Sequence, residues 1–236
     1  MASLTWKYRV YRALNGFPAI GSAVDRFRDW KSFREYSQRG TFSQHGEDRF
    51  LLDYFGDHVG TYVDIGANHP FRISNTFMLY QRGWHGLVID PIPNQIDAQR
   101  RWRPRDTQLN IAVGPSAETL KFFYLYPSVL STFDPQVAER YLADGSLLRA
   151  TYDVEVRTLA TVLSSFNNGR CDLLSVDTEG FDARILQSND WERYRPRLVI
   201  FERNDEGSRC ESSELLLANN YRFVQQCGCN HVFEAQ

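Results

Sequence analysis

Several acidic or amide side chains stand at the ends of short apolar runs: Asp64, Asp90, Asn110, Asp177 and Glu202. A run that closes on a carboxylate cannot keep the charge in the core without a partner, because an isolated buried charge is very costly. A cleft that meets solvent or a polar ligand resolves the conflict. Carboxylates so placed can accept hydrogen bonds from ribose hydroxyls, take a proton from an attacking alcohol, or ligate Mg²⁺ through oxygen. Asp177, Glu179 and Glu202 are candidates for the base or for that metal, and His69 is a further candidate base.

The segment Asp64-Ile-Gly-Ala-Asn-His-Pro puts Gly66 where a chain turns sharply from strand to helix, so that a ligand can approach backbone and helix N-terminus. It is half of a dinucleotide fingerprint. Counted from Gly66, the second and third glycine positions hold Asn68 and Phe71, which does not support close approach of a pyrophosphate. Asp90 follows Gly66 by 24 residues, the spacing at which an acid takes a ribose diol. A ribose without a pyrophosphate points to an adenosine-type cofactor.

The elements that position these residues alternate. Strands are predicted at 61–65, 85–90, 108–113, 172–177 and 197–202, and a β-rich piece at 120–126. Helices are predicted at 73–80, 94–102 (with an Asn94/Asp97 capping box), 135–142, 158–166, 182–186 and 211–219. The end of the chain, 221–234, reads as two strands around a Gly-containing turn. This order predicts an α/β fold: a doubly wound, mostly parallel seven-stranded Rossmann-like sheet with a C-terminal antiparallel hairpin. Residues 127–157, with Pro127, Pro135 and Gly145, are the least regular and the candidate substrate-side insertion of a domain spanning 41–236.

Tyr62-Val-Asp-Ile-Gly-Ala-Asn resembles the first motif of class I S-adenosylmethionine-dependent methyltransferases, in particular the FkbM family, which methylates hydroxyl groups. Ser43-Gln-His-Gly-Glu-Asp, Leu109-Asn-Ile-Ala-Val-Gly, Leu174-Ser-Val-Asp-Thr-Glu-Gly-Phe-Asp and Arg195-Pro-Arg-Leu-Val-Ile-Phe-Glu continue the resemblance in the family's order, over about residues 43–203. The resemblance implies that Asp64 and Gly66 lie along the methionine part of the cofactor, that Asn68 also belongs to its binding site, that Asp90 binds the ribose and that Asn110 flanks the adenine. It also implies that Gln44 and Glu47 help close the cofactor pocket and that Asp177 and Glu179 face the reacting methyl. The acceptor it implies is a sugar hydroxyl in a glycan, cell-surface polysaccharide or glycosylated natural product. The departure is His69-Pro70, where many methyltransferases carry a further glycine.

Residues 1–40 differ from the rest, with eight basic against three acidic side chains. Leu4, Tyr8 and Tyr11 form a helical stripe, a turn follows at 15–18, and a second helix is predicted at 24–36. Such an arm packs on the domain or on a second subunit, making a homo-oligomer, or lies on a membrane surface. The whole chain carries a formal −2, which disfavours a general nucleic-acid binder, and no run is long and apolar enough for a transmembrane helix. Four sparse cysteines fit a reducing compartment, and a bacterial, cytoplasmic protein is expected. Cys210, Cys227, Cys229 and His231 carry zinc-binding atoms, but the C-x-C pair flanks a hairpin turn rather than making the usual C-x-x-C. Arg100, Arg101, Arg103 and Arg105 read as a solvated face, and Phe122, Phe123, Tyr124, Tyr126, Phe133 and Tyr141 as walls of an acceptor cleft or as core. The rival functions are a nicotinamide oxidoreductase, which the missing glycines oppose, and a non-catalytic scaffold that retains the fold.

Overall fold

The computed structural model describes residues 18–178, 180–203 and 210–236. The stripe at Leu4, Tyr8 and Tyr11, the turn before Pro18 and the side chain of Glu179 lie outside them. Strands run in the order β1 (Thr61–Ile65), β2 (His85–Ile89), β3 (Thr107–Leu109), β4 (Ala112–Val113), β5 (Glu118–Tyr126), β6 (Leu147–Arg157), β7 (Leu173–Val176), β8 (Leu198–Glu202), β9 (Tyr221–Cys227) and β10 (Asn230–Ala235). The helices are α1 (Pro18–Arg39), α2 (Glu47–Phe55), α3 (Phe77–Gln81), α4 (Pro93–Trp102), α5 (Pro135–Ala143), α6 (Leu159–Ser165), α7 (Asp182–Gln187) and α8 (Glu211–Ala218).

Seven strands form one sheet in the order β3-β2-β1-β7-β8-β10-β9. All its pairings are parallel except those of β10, which runs antiparallel to β8 and β9. Helices cover both faces, so the central strands are apolar without alternation. On one face Val63, Ile65, Leu174, Val176 and Val199 meet Leu159 and Val162 of α6 and Ile185 and Leu186 of α7. On the other, Tyr62, Val88, Ile200 and Val232 meet an aromatic layer of Phe42, Phe55, Phe71, Phe77 and Trp84. Helix α1 joins that layer through Phe33, whose ring stands 5.4 Å from Trp102 and 5.5 Å from Phe71. Asp64 shares the face of Tyr62, because side chains alternate along a strand.

The structure corrects several predicted elements. The helix expected over 73–80 shortens to α3, since Ile73 adopts φ +53 and breaks the helical path. The strand expected over 108–113 divides at Asn110: β3 belongs to the large sheet and β4 to a second sheet of order β4-β6-β5. Residues 127–157 are more regular than expected, for they hold α5 and the eleven-residue β6, antiparallel to β5. The capping box is absent: Ile92 is the N-cap of α4, with no side-chain cap and Pro93 in the first turn, while Asp97 pairs with Arg100 at 2.8 Å. The arginine cluster is only partly a solvated face, because Arg103 is completely buried. Among the described residues no helix is long and apolar enough to cross a membrane.

Candidate active site

Gly66 leaves β1 with φ +77, and a side chain there would put its Cβ 1.9 Å from the carbonyl oxygen of Asp177. Only glycine fits where the β1 and β7 ends approach so closely. The amides of Gly66 and Ala67 both donate to the Ile89 carbonyl at 3.0 Å, which folds the loop across the end of β2. Asn68 follows with φ +44, its amide donating to Asp90 Oδ2 at 2.9 Å, and Ile92 N donates to Asp90 Oδ1 at 2.7 Å. From α4, Gln95 Nε2 donates to Asn68 Oδ1 at 2.7 Å and Gln99 Nε2 to Asn68 O at 3.1 Å.

Asp90 is thus held by two backbone amides. Burial pushes its carboxyl up to about 7, against the pull of the two amides. Each carboxylate oxygen accepts one amide and keeps a further lone-pair direction, which suits the two donors of a vicinal diol. Asn110 is exposed, and its Nδ2 donates to the Asp90 carbonyl at 2.9 Å.

Asp64 points into the aromatic side of the sheet. Its Oδ2 accepts from Thr76 Oγ1 at 2.5 Å and lies 4.0 Å from Arg103 Nη1. Arg103 also donates to Thr76 Oγ1 at 2.9 Å, to Asp106 Oδ2 at 2.7 Å and to the Tyr62 hydroxyl at 2.7 Å. Asp106 accepts further from Tyr62 and from Gly86 N, both at 2.8 Å. Burial raises the Asp64 carboxyl above its usual range despite Arg103 and Thr76. One desolvated cation therefore holds the end of β1 against the turn before β3. The sequence hid this role because Arg103 sits in a run of arginines; its signal was Asp106 three residues on.

His69 is buried with both ring nitrogens engaged. Nε2 faces Asp29 Oδ1 of α1 at 3.2 Å, and Nδ1 accepts from the amides of Phe71 and Arg72 at 3.4 and 3.3 Å. Burial holds the imidazole down at about 4, against the pull of Asp29, so the ring is neutral near pH 7. This geometry ties the loop to α1 and gives the ring no nitrogen directed at a substrate.

The acidic groups on the other side of Gly66 form a separate cluster. The parallel register Val176↔Phe201, continued by one residue, sets Asp177 beside Glu202. Both are half-buried, whereas Asp64 and Asp90 are buried. Glu202 accepts from Cys229 Sγ at 3.5 Å. Burial pushes that thiol up to about 11, with Glu202 and Asp177 adding to the rise. The sequence reading missed Asp182, the last residue of the Asp-Thr-Glu-Gly-Phe-Asp run. It is buried at the start of α7, where burial together with Glu202 pushes its carboxyl up to about 7 against the pull of the backbone amides of the turn before it.

Glu47 belongs to this second cluster. Its Oε1 accepts from Asn230 Nδ2 at 2.6 Å, and Asn230 pairs with Glu202 across β8 and β10. Its Oε2 accepts from His45 N at 2.8 Å. The hairpin turn closes on the same segment, since a Cβ at Gly228 would meet the His45 ring at 2.2 Å. Gln44 is exposed. Its neighbour Asp48, which the sequence reading passed over, gathers Thr41 Oγ1, Phe42 N and Ser43 Oγ at 2.6 to 2.7 Å and shapes the segment. The structure thus brings Gly66, Asn68, Asp90 and Asn110 to one side of the carboxyl edge, and Asp177, Glu202 and Glu47 to the other.

Of the aromatic candidates, Phe122 and Tyr124 belong to the core of the small sheet, with Val154 and Val156. Phe123, Tyr126, Phe133 and Tyr141 are half-buried. Among the described residues no group of three or more His, Cys, Asp or Glu side chains converges to hold a metal ion.

The family model for the Methyltransferase FkbM domain matches residues 64–228, from Asp64 through Glu202 and the hairpin turn. No curated protein matches the chain. Among solved structures, the chain is similar to a TehB-like SAM-dependent methyltransferase from Corynebacterium glutamicum, with 13% identity and TM-score 0.44 over 91% of this chain and 100% of that one. It is similar also to a methyltransferase from Geobacter sulfurreducens, with 12% identity and TM-score 0.44 over 96% and 95%. A third is the Burkholderia thailandensis 1,6-didemethyltoxoflavin-N1-methyltransferase with bound 1,6-didemethyltoxoflavin and S-adenosylhomocysteine, with 13% identity and TM-score 0.42 over 93% and 91%.

Proposed function

Because the chain belongs to the FkbM methyltransferase family, we propose that it is an O-methyltransferase that moves the methyl group of S-adenosylmethionine to a hydroxyl oxygen, the acceptor being a sugar of a glycan or glycosylated natural product. The observation that carries the reading is the division of the carboxyl edge into two acidic groups on either side of Gly66. One is buried, with Asp90 clamped by backbone amides and Asp64 held by Thr76 and Arg103; the other, Asp177 with Glu202, is half-buried at adjoining strand ends.

When bound, S-adenosylmethionine supplies an electrophilic methyl on a sulfonium. Asp90 accepts the two ribose hydroxyls with its remaining lone pairs, Asn110 flanks the adenine, and the Gly66–Asn68 backbone borders the methionine part. Asp64 acts through Arg103 and Thr76 to hold that backbone in place. Across the loop, Asp177 or Glu202 accepts the proton that the acceptor hydroxyl loses as its oxygen attacks, with Glu179 on the same segment. An alcohol has a high pKa, and a positioned carboxylate that takes its proton during attack contributes on the order of 10²-fold or more. Orientation of the oxygen in line with the methyl supplies the larger share. The half-buried rings of Phe123, Tyr126, Phe133 and Tyr141 suit the apolar faces of a sugar.

The test is methyl transfer from isotopically labelled S-adenosylmethionine to a panel of sugar-bearing acceptors, with the product site read by NMR. An alkali-stable methyl ether on a sugar carbon supports the proposal. A methyl found on nitrogen, or as an alkali-labile ester, overturns it.

A further inference from the structure

Helix α1 has two faces of opposite character. The inner face is fixed to the domain: Phe33 and Tyr36 join the aromatic layer, and Asp29 meets His69 and Arg72, each at 3.2 Å. On the outer face Phe27 is 64% exposed and Trp30 50% exposed, although both are large and apolar. Their rings stack at 6.2 Å, and the Arg34 guanidinium lies over Trp30 at 5.2 Å. Lys31 is exposed beside them, and residues 27, 30, 31 and 34 fall on one side of a helix. Phe27 and Trp30 cannot turn inward without removing Phe33 and Asp29 from their contacts, so their exposure is a consequence of the register of the helix.

Charge identifies the occupant. Residues 1–40 carry a net +5, whereas the whole chain carries −2, so the remainder carries −7. On α1 itself five basic side chains stand against three acidic ones, a net +2, and Lys31 and Arg34 flank the exposed aromatic pair. A second copy of this chain, paired face to face, would set Lys31 and Arg34 against their own counterparts. A bilayer with anionic headgroups has the opposite sign and admits aromatic rings at its interface, where an amphipathic helix lies in the plane. We propose that the outer face of α1, through Phe27, Trp30, Lys31 and Arg34, docks the protein on an anionic lipid surface. Lys31 and Arg34 meet headgroup phosphates while the two rings enter the headgroup–acyl boundary. Asp29, on the inner side of the same helix, ties the docked element to the loop after Gly66 through His69.

The inference is independent of the acceptor and is tested by binding alone. The full chain is floated with vesicles of phosphatidylcholine and, separately, of phosphatidylcholine mixed with phosphatidylglycerol. It is expected to float with the second and not the first, and added salt should reduce the bound fraction. Phe27→Ser with Trp30→Ser, and Lys31→Glu with Arg34→Glu, are each expected to weaken binding by about tenfold or more. The circular dichroism, melting temperature and S-adenosylhomocysteine binding of these exposed-site variants should stay at wild-type values. Failure to float with anionic vesicles overturns the proposal, as does flotation unaffected by either pair of substitutions. A doubled solution mass that Phe27→Ser with Trp30→Ser abolishes, without vesicle binding, assigns the face to a second copy and also overturns it.

Discussion

Replacing Arg103 with methionine keeps most of the side chain's volume and removes its charge from a site with no exposed surface. Three donated hydrogen bonds and the contact to Asp64 at 4.0 Å disappear together. Asp106 keeps only Tyr62 and Gly86 N as partners, and Asp64 only Thr76 and Ser175. Removing one member of a buried ion pair costs about 3–5 kcal/mol, because the remaining charge is stranded out of water. At about 2–4 °C per kcal/mol for a domain of this size, the melting temperature should fall by about 6–20 °C. Adding Asp106→Asn removes the stranded charge and should recover part of that loss, with a coupling of about 0.5–3 kcal/mol. The assay is thermal unfolding by circular dichroism on wild type, both single variants and the double variant. A fall of less than about 2 °C in Arg103→Met would refute the reasoning, since it would mean that the cation contributes no more than an exposed ion pair.

Asp90 is pushed up to about 7 in the free protein and would accept the ribose hydroxyls in its ionised form, so cofactor binding must expel a proton below that pH. Affinity for S-adenosylhomocysteine should drop by about tenfold per pH unit below about 7 and level off above it, and Asp90→Asn should flatten the profile in calorimetric titrations. His69 is depressed to about 4 in the folded state, so the stability it contributes is complete above its ordinary value of 6.5 and is lost as pH falls toward 4. The loss should reach about 3 kcal/mol, and urea unfolding of His69→Gln at several pH values should lack that slope. Glu202→Gln should retain S-adenosylhomocysteine binding while turnover falls by about 10²-fold or more in the labelled-methyl assay.

The strands were legible because β1, β2, β7 and β8 are short, apolar and closed by an acid, a pattern that a sheet covered on both faces demands. The reach of β6 was missed although Ala150, Tyr152, Val154 and Val156 alternate with polar residues, because the segment was read by its flanking Pro127, Pro135 and Gly145. Its partner strand β5 lies some thirty positions away, with Leu120 opposite Val154 and Phe122 opposite Tyr152. The places of Asp64, Asp90, Asp177 and Glu202 at or beside strand ends were legible, but what surrounds them was not. Whether a carboxylate meets two backbone amides, as Asp90 does, or a desolvated arginine, as Asp64 does, depends on contacts between distant segments. His69 shows the same limit, for its engagement with Asp29 spans forty residues and both members look like ordinary surface groups in the sequence. Asp182 lay inside a quoted motif and was passed over because its burial at the start of α7 follows from tertiary packing against the β8 end.

The proposed site for S-adenosylmethionine is formed by the Gly66 loop and Asp90. Calorimetric titration of the purified full chain with S-adenosylhomocysteine tests it most directly, with Asp90→Ala as the companion variant. Saturable binding of one equivalent by wild type is expected, with a loss of about tenfold or more in the variant. The absence of binding by a protein whose circular dichroism and melting show it to be folded, or binding indifferent to Asp90→Ala, would contradict it.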